Sequence, residues 1–158
     1  MNFLVSGLLA LCGFVFFDAP TVTGISTLPA VVNQTLYLVG FSKELNDSRY
    51  RCINSTYEGV KDEWVLRRIY ATFTFPEMNG SWYADIQVRN RSNNFYLEVN
   101  ETDIAKYIFG AQKKYIIQFF DNNSLVLSHL YQSIHNLTPP CSLWVTKDHI
   151  SITEVPER

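Results

Sequence analysis

The sequence predicts an all-β protein: eight antiparallel strands closed into an up-and-down β-barrel, with one short helix. Three observations carry that expectation. Apolar and polar residues alternate with period 2 along most of the chain, and turn residues separate the alternating runs. Aromatic residues make up 15%, with 9 Tyr and 11 Phe, a bias that favours strands. The 158 residues fit one domain, so all the strands must share one core.

The first segment reads as an address. From Phe3 to Phe17 the chain is uncharged and apolar, too short to span a bilayer comfortably and suited to the core of a signal peptide. Small residues follow at Ala19 and Gly24, and Pro20 disfavours a cut directly after Ala19. Residues 1–24 are therefore expected to be removed, leaving 25–158 as a single barrel domain. No other run approaches membrane-helix length, so no membrane span is expected.

The strands are then taken in order. Thr35–Ser42 and Tyr50–Val60 come first, followed by the long run Glu63–Phe75, which Pro76 and Gly80 terminate. In Ser81–Asn90, Trp82, Ala84, Ile86 and Val88 alternate with Tyr83, Asp85, Gln87 and Arg89. Phe95, Leu97 and Val99 alternate with Tyr96, Glu98 and Asn100 in the next run. Glu101–Gly110 is the one helical stretch, with Thr102 as N-cap and Gly110 past its end. Lys114–Phe120 and Leu125–Tyr131 form a hairpin around Asp121-Asn122-Asn123-Ser124, and Cys141–Thr146 is the last strand. Closure into a barrel removes the exposed edges of such a series. A sandwich has less support, because no Trp lies midway between the two later cysteines.

Composition and motifs bound the function. The 13 Lys+Arg against 15 Asp+Glu give a formal charge of −2, with no basic stripe for nucleic acid. Eight glycosylation sequons begin at Asn33, Asn46, Asn54, Asn79, Asn90, Asn100, Asn122 and Asn136, where chance predicts about two. The chain therefore reads as a secreted, extracellular glycoprotein. Of three cysteines, Cys12 leaves with the signal peptide, so Cys52 and Cys141 are expected to bond in an oxidising compartment. No clustered His or Cys-x-x-Cys marks a metal site. His129, His135 and His149 are scattered, and Ser128-His129 are strand neighbours facing opposite sides, so no enzyme and no cofactor are expected.

Several stretches resemble the tick salivary lipocalins. Cys141-Ser142-Leu143-Trp144-Val145 looks like that family's C-x-L-W-V strand, and Val155-Pro156 like its V-P step. Tyr37-Leu38-Val39 resembles its first barrel strand, Cys52 sits where its second strand carries a cysteine, and Tyr115-Ile116-Ile117 with Phe119 and Asp121 resembles its penultimate hairpin. The short chain, many sequons and single Cys pair are most similar to the japanin branch, an immunomodulatory group. The chain departs from the histamine-binding relatives, which usually have a second disulfide, one half of it where this chain has Ser124-Leu125. The resemblance implies modulation of host dendritic cells, with a host immune cell or protein as partner.

An eight-stranded barrel is just wide enough to hold one small ligand. Alternation assigns Tyr37, Val39, Phe41, Trp82, Ile86, Val88, Phe95, Leu97, Tyr115, Ile117, Phe119 and Leu127 to the lining, with Ala84, Val99 and Tyr131 beside them. An apolar, aromatic interior suits a sterol such as cholesterol, or a fatty acid, with Tyr hydroxyls as polar anchors. Histamine or serotonin would need buried carboxylates, and Asp85, Glu98 and Asp121 fall on the other parity or in a turn. Scavenging of histamine, serotonin or eicosanoids is the alternative. Either Arg67 or Arg68 must point inward or mark a bulge. The protein is expected to be a monomer.

Overall fold

A computed structural model describes residues 26–91, 94–130 and 139–150. Eight antiparallel strands form a closed barrel in sequence order: β1 (Leu36–Phe41), β2 (Tyr50–Lys61), β3 (Trp64–Phe75), β4 (Met78–Arg91), β5 (Tyr96–Glu101), β6 (Lys114–Phe120), β7 (Ser124–His129) and β8 (Cys141–Thr146). β8 pairs back onto β1, with Tyr37 opposite Val145, which closes the ring. The expected signal segment, Tyr131, Asn136 and Val155-Pro156 lie outside the described residues.

The single long helix-like stretch folds as expected. Helix α1 (Asp103–Phe109) starts where the Thr102 hydroxyl accepts the Ala105 N–H at 3.3 Å, replacing a bond that the first turn leaves unmade. It ends at Gly110, whose φ of +62° is the left-handed conformation that glycine adopts without a Cβ penalty. A second short helix, α2 (Lys147–Ile150), follows β8.

Up-and-down topology sends the chain alternately to two ends. One end carries the short turns β2–β3, β4–β5 and β6–β7, together with the 3₁₀ turn Pro29–Val31, which packs against β4 and β7. The other carries the β1–β2 loop, the β3–β4 hairpin turn, and α1 between β5 and β6. β3 and β4 outrun their neighbours at this second end. β5 pairs with β4 only from Ile86 onward, so β4 before that point has no β5 partner.

Arg67 settles the parity of β3: it points inward with Val65, Ile69, Ala71 and Phe73, and is 2% exposed. Its five N–H groups are all used. Nε donates to Ser55 Oγ at 2.9 Å; one terminal nitrogen donates to the carbonyls of Ala30 (3.2 Å) and Val32 (3.4 Å); the other donates to those of Gln34 (2.6 Å) and Ser55 (2.8 Å). Burial without a carboxylate lowers its pKa to about 10, so the group remains charged at neutral pH. Arg68 points out and pairs with Asp85 at 2.6 Å.

The expected Cys52–Cys141 bond does not form. β1 lies between their strands, and two strand spacings of about 4.8 Å each exceed the ~7 Å limit on the Cα separation of a disulfide. Register separates them further, since Tyr37 faces Asn54 while Phe41 faces Ser142. Cys52 sits at a break in the β2–β3 register with φ +52°, exposed and free.

Replacing Arg67 with Met should cost about 3 kcal/mol, because the buried carbonyls lose their donors, and lower Tm by roughly 10 °C. Lys at this position should rescue little, since one ammonium cannot reproduce the planar fork. Arg68→Met is the outward control and should leave Tm nearly unchanged. Equal Tm values for the Arg67 and Arg68 variants in thermal melts would show that the floor does not depend on this residue.

Candidate ligand-binding site

The barrel interior holds a cavity of about 450 Å³, inside the ~300–1,000 Å³ range of small-molecule sites. Its floor is Ala30, Ser55 and Arg67 at the short-turn end. The walls are aliphatic: Leu36 and Leu38 from β1, Ile69 from β3, Ile86 and Val88 from β4, Leu97 and Val99 from β5, Leu125 and Leu127 from β7. The mouth lies between Glu44, Leu45 and Asp47 of the β1–β2 loop and Ile108–Gln112 at the end of α1. Phe109 packs against Tyr50 at the start of β2, ring centroids 6.2 Å apart, so α1 is held across part of the opening.

Polar groups are few and unevenly engaged. At the floor, Arg67 has no N–H left for a ligand, and Ser55 Oγ already accepts one of its bonds. On the β6–β8 wall stand Tyr115, His129 and Ser142. Tyr115 accepts the Gln112 N–H at 2.9 Å and Ser142 the Trp144 indole N–H at 3.0 Å, so both hydroxyls keep a proton to donate. The His129 imidazole packs edge-on to Tyr115 with centroids 5.6 Å apart, and no described side chain hydrogen-bonds to it. Burial holds the His129 pKa below its ordinary value and the Tyr115 pKa above. The lining carboxylates, Glu44 and Asp47, both sit in the mouth loop, and Arg49 neutralises Asp47 at 2.6 Å. The aliphatic walls therefore offer no counter-ion for a buried ammonium.

Of the residues expected in the lining, Phe41, Ile86, Val88, Leu97, Tyr115 and Leu127 reach the cavity. The other six do not, each for a geometrical reason. Tyr37 and Val39 face outward because the inward parity of β1 is Leu36 and Leu38; a bulge between Leu38 and Gly40 then returns Phe41 to the interior. A bulge between Ile117 and Phe119 likewise turns Phe119 out and packs Phe120 against the core. Ile117 joins that core without touching the cavity. Phe95 belongs to the turn before β5 and is exposed. Trp82 has the inward parity but lies on the part of β4 that β5 does not reach, packed on Phe73 at 5.7 Å. Ala84 is buried beside the lining, and Val99 is part of it.

Alternation missed the floor and the lid. Ala30 comes from a 3₁₀ turn, and Ile108, Phe109 and Ala111 come from α1 and the residues after it. A two-residue period carries no information about such segments; the helical spacing of Ala105, Ile108 and Phe109 was the available signal.

The glycan acceptors Asn33, Asn46, Asn79, Asn100 and Asn122 are exposed, and Asn54 is half-buried on β2. Asn90 departs from the rest. It continues the inward parity of Val88, its Oδ1 is buried without a partner, and its Nδ2 bonds to Asn94.

No family model matches the chain. It is 32% identical over 136 residues to Japanin-like-RS of Rhipicephalus sanguineus, covering 85% of this chain and 74% of that protein. It is 31% identical over 137 residues to Japanin of Rhipicephalus appendiculatus, covering 85% and 73%. The crystal structure of Japanin bound to cholesterol superposes with a TM-score of 0.72 at 32% identity, over 83% of this chain and 85% of that one.

The half-buried His129 gives a pH dependence. An unfolded histidine takes up its proton near pH 6.5, whereas the folded group resists it, so stability should fall as pH drops from about 7 to about 5. In His129→Phe the difference between melts at those two pH values should shrink; an unchanged difference would mean that other groups cause it.

Proposed function

The chain belongs to the japanin family of tick salivary lipocalins, and from that premise we propose that it is a secreted carrier of one sterol molecule that acts on host immune cells. The observation that carries the sterol reading is the match between the cavity and a sterol's own distribution of polarity. A sterol is a rigid hydrocarbon with one hydroxyl, and the cavity is a largely apolar tube with Tyr115, His129 and Ser142 gathered on one wall. Likeness to a barrel that is bound to cholesterol supports the same reading. The hydroxyl end would meet Tyr115, His129 and Ser142, and the hydrocarbon would extend along Ile86, Val88, Leu97 and Leu127 toward the saturated floor.

Likeness to the japanins supports an action on host immune cells, and dendritic cells are the proposed target. Secretion is supported by the salivary relatives and by the sequons. Among the described residues no helix is long and apolar enough to cross a membrane, and no group of three His, Cys, Asp or Glu is placed to hold a metal ion. Likeness to ligand-binding lipocalins supports reading the protein as a binder.

Native mass spectrometry of the deglycosylated protein, followed by organic extraction, tests the reading. One sterol per chain is the expected result. Leu127→Trp, which fills the tube from its wall, should lower sterol uptake at least tenfold while the chain remains folded by circular dichroism. A barrel that arrives empty and takes up no cholesterol would shift its function to the outer surface.

A further inference from the structure

Among the described residues, six of the eleven large apolar side chains left exposed lie at one end of the barrel; Val60, Phe95 and Phe119 lie at the other end, and Val39 and Tyr83 on the outer wall. Phe41 closes β1, Met78 and Trp82 open β4, Ile104 and Tyr107 lie on α1, and Leu130 follows β7, all at the mouth of the cavity. Their exposure is substantial: Tyr107 is 82% exposed, Met78 55%, Ile104 49% and Trp82 40%. α1 is apolar on two faces at once. Ile108 and Phe109 turn to the cavity and Ala105 is fully buried, while Ile104 and Tyr107, three residues apart, form a ridge facing solvent. No described residue covers that ridge, and exposed apolar clusters around a cavity mouth mark interaction surfaces.

The chemistry of the rim identifies what it meets. Among the described residues its charged groups cancel: Lys43, Arg49, Lys106, Lys113 and Lys114 stand against Glu44, Asp47, Glu77, Glu101 and Asp103. A rim without net positive charge gains nothing from an anionic surface. Trp and Tyr beside aliphatic side chains are the residues that settle at a lipid headgroup interface. The rim is also continuous with the cavity opening, and a sterol is too insoluble to reach that opening quickly through water. We propose that the open rim docks on the surface of a zwitterionic bilayer, so that the lipophile passes between membrane and cavity without crossing bulk water. This rests on the sterol-carrier reading for its purpose, although the docking surface itself does not depend on it.

The test uses the glycosylated chain, because sugars on Asn46 or Asn79 would stand on the same rim. Flotation with phosphatidylcholine vesicles measures docking. Transfer of dehydroergosterol from those vesicles measures delivery, and uptake of the same sterol from cyclodextrin measures the cavity alone. The chain should float with the vesicles, and its transfer rate should rise with vesicle concentration. The double variant Ile104→Ser/Tyr107→Ser should reduce both by roughly tenfold, with cyclodextrin uptake unchanged. Met78→Ser, on a separate element, should act in the same direction.

Normal uptake from cyclodextrin with no flotation, and with transfer indifferent to vesicle concentration, would overturn docking and leave the carrier reading intact. Flotation only on vesicles containing phosphatidylserine would overturn it as well. Failure of cyclodextrin uptake would instead remove the carrier reading, and flotation by the parent chain with its loss in the double variant would then decide docking alone.

Discussion

One buried cation holds the closed end of this barrel. Arg67 reaches across the floor from β3 and gathers the carbonyls of Ala30, Val32 and Gln34 with the hydroxyl and carbonyl of Ser55. The constraint it answers is simple. A segment crossing the bottom of a barrel brings main-chain oxygens into a dry place, and each must find a donor. A planar group with five donors meets several of them from one site. Much follows from this arrangement. The described residues close the floor, and the parity of β3 is set. Because every N–H of Arg67 is used internally, the floor offers a ligand no charged grip, and most of the free polar groups stand on the β6–β8 wall.

The two ends of the barrel are built on different principles. At the floor, short turns and a charged hydrogen-bond centre give a rigid closure. At the mouth, β3 and β4 run on past their neighbours, and α1 is tied across the opening through Phe109 and Tyr50. Phe73 shows how tightly the overhang is packed: its ring lies against Phe75 and Trp82, and a Cβ at Gly80 would come within 2.6 Å of it. Motions that admit a ligand therefore fall on α1 and the β1–β2 loop, which make fewer buried apolar contacts than the strands.

The order of strands and the position of the helix were legible because each depends on local chemistry: alternation for Ala84, Ile86 and Val88, and a hydroxyl and a glycine for the ends of α1. The lining was legible only where strands are regular. In β4 and β5, Ile86, Val88 and Leu97 follow the pleat without interruption and reach the cavity. In β1 and β6 a single inserted residue reverses the facing of everything after it, and nothing in Leu38-Val39-Gly40 or Ile117-Gln118-Phe119 announces the insertion. The cysteine pair fails for a related reason. Counting residues leaves Cys52 and Cys141 after the expected signal segment, but only the strand order shows that β1 separates them.

The floor also bears on how sequences of this kind can diverge. In the segment 30–34 Arg67 contacts main-chain oxygens alone, which are present whatever side chains stand there. Outside Ala30, which is itself packed into the floor, side chains there can change without removing an acceptor from Arg67. By the same token, no change among them can restore the closure once the guanidinium is lost, because a backbone oxygen cannot be exchanged for a donor. The closed end thus depends most on Arg67, and side-chain drift among its main-chain partners leaves no correlated change at Arg67 to reveal the contact.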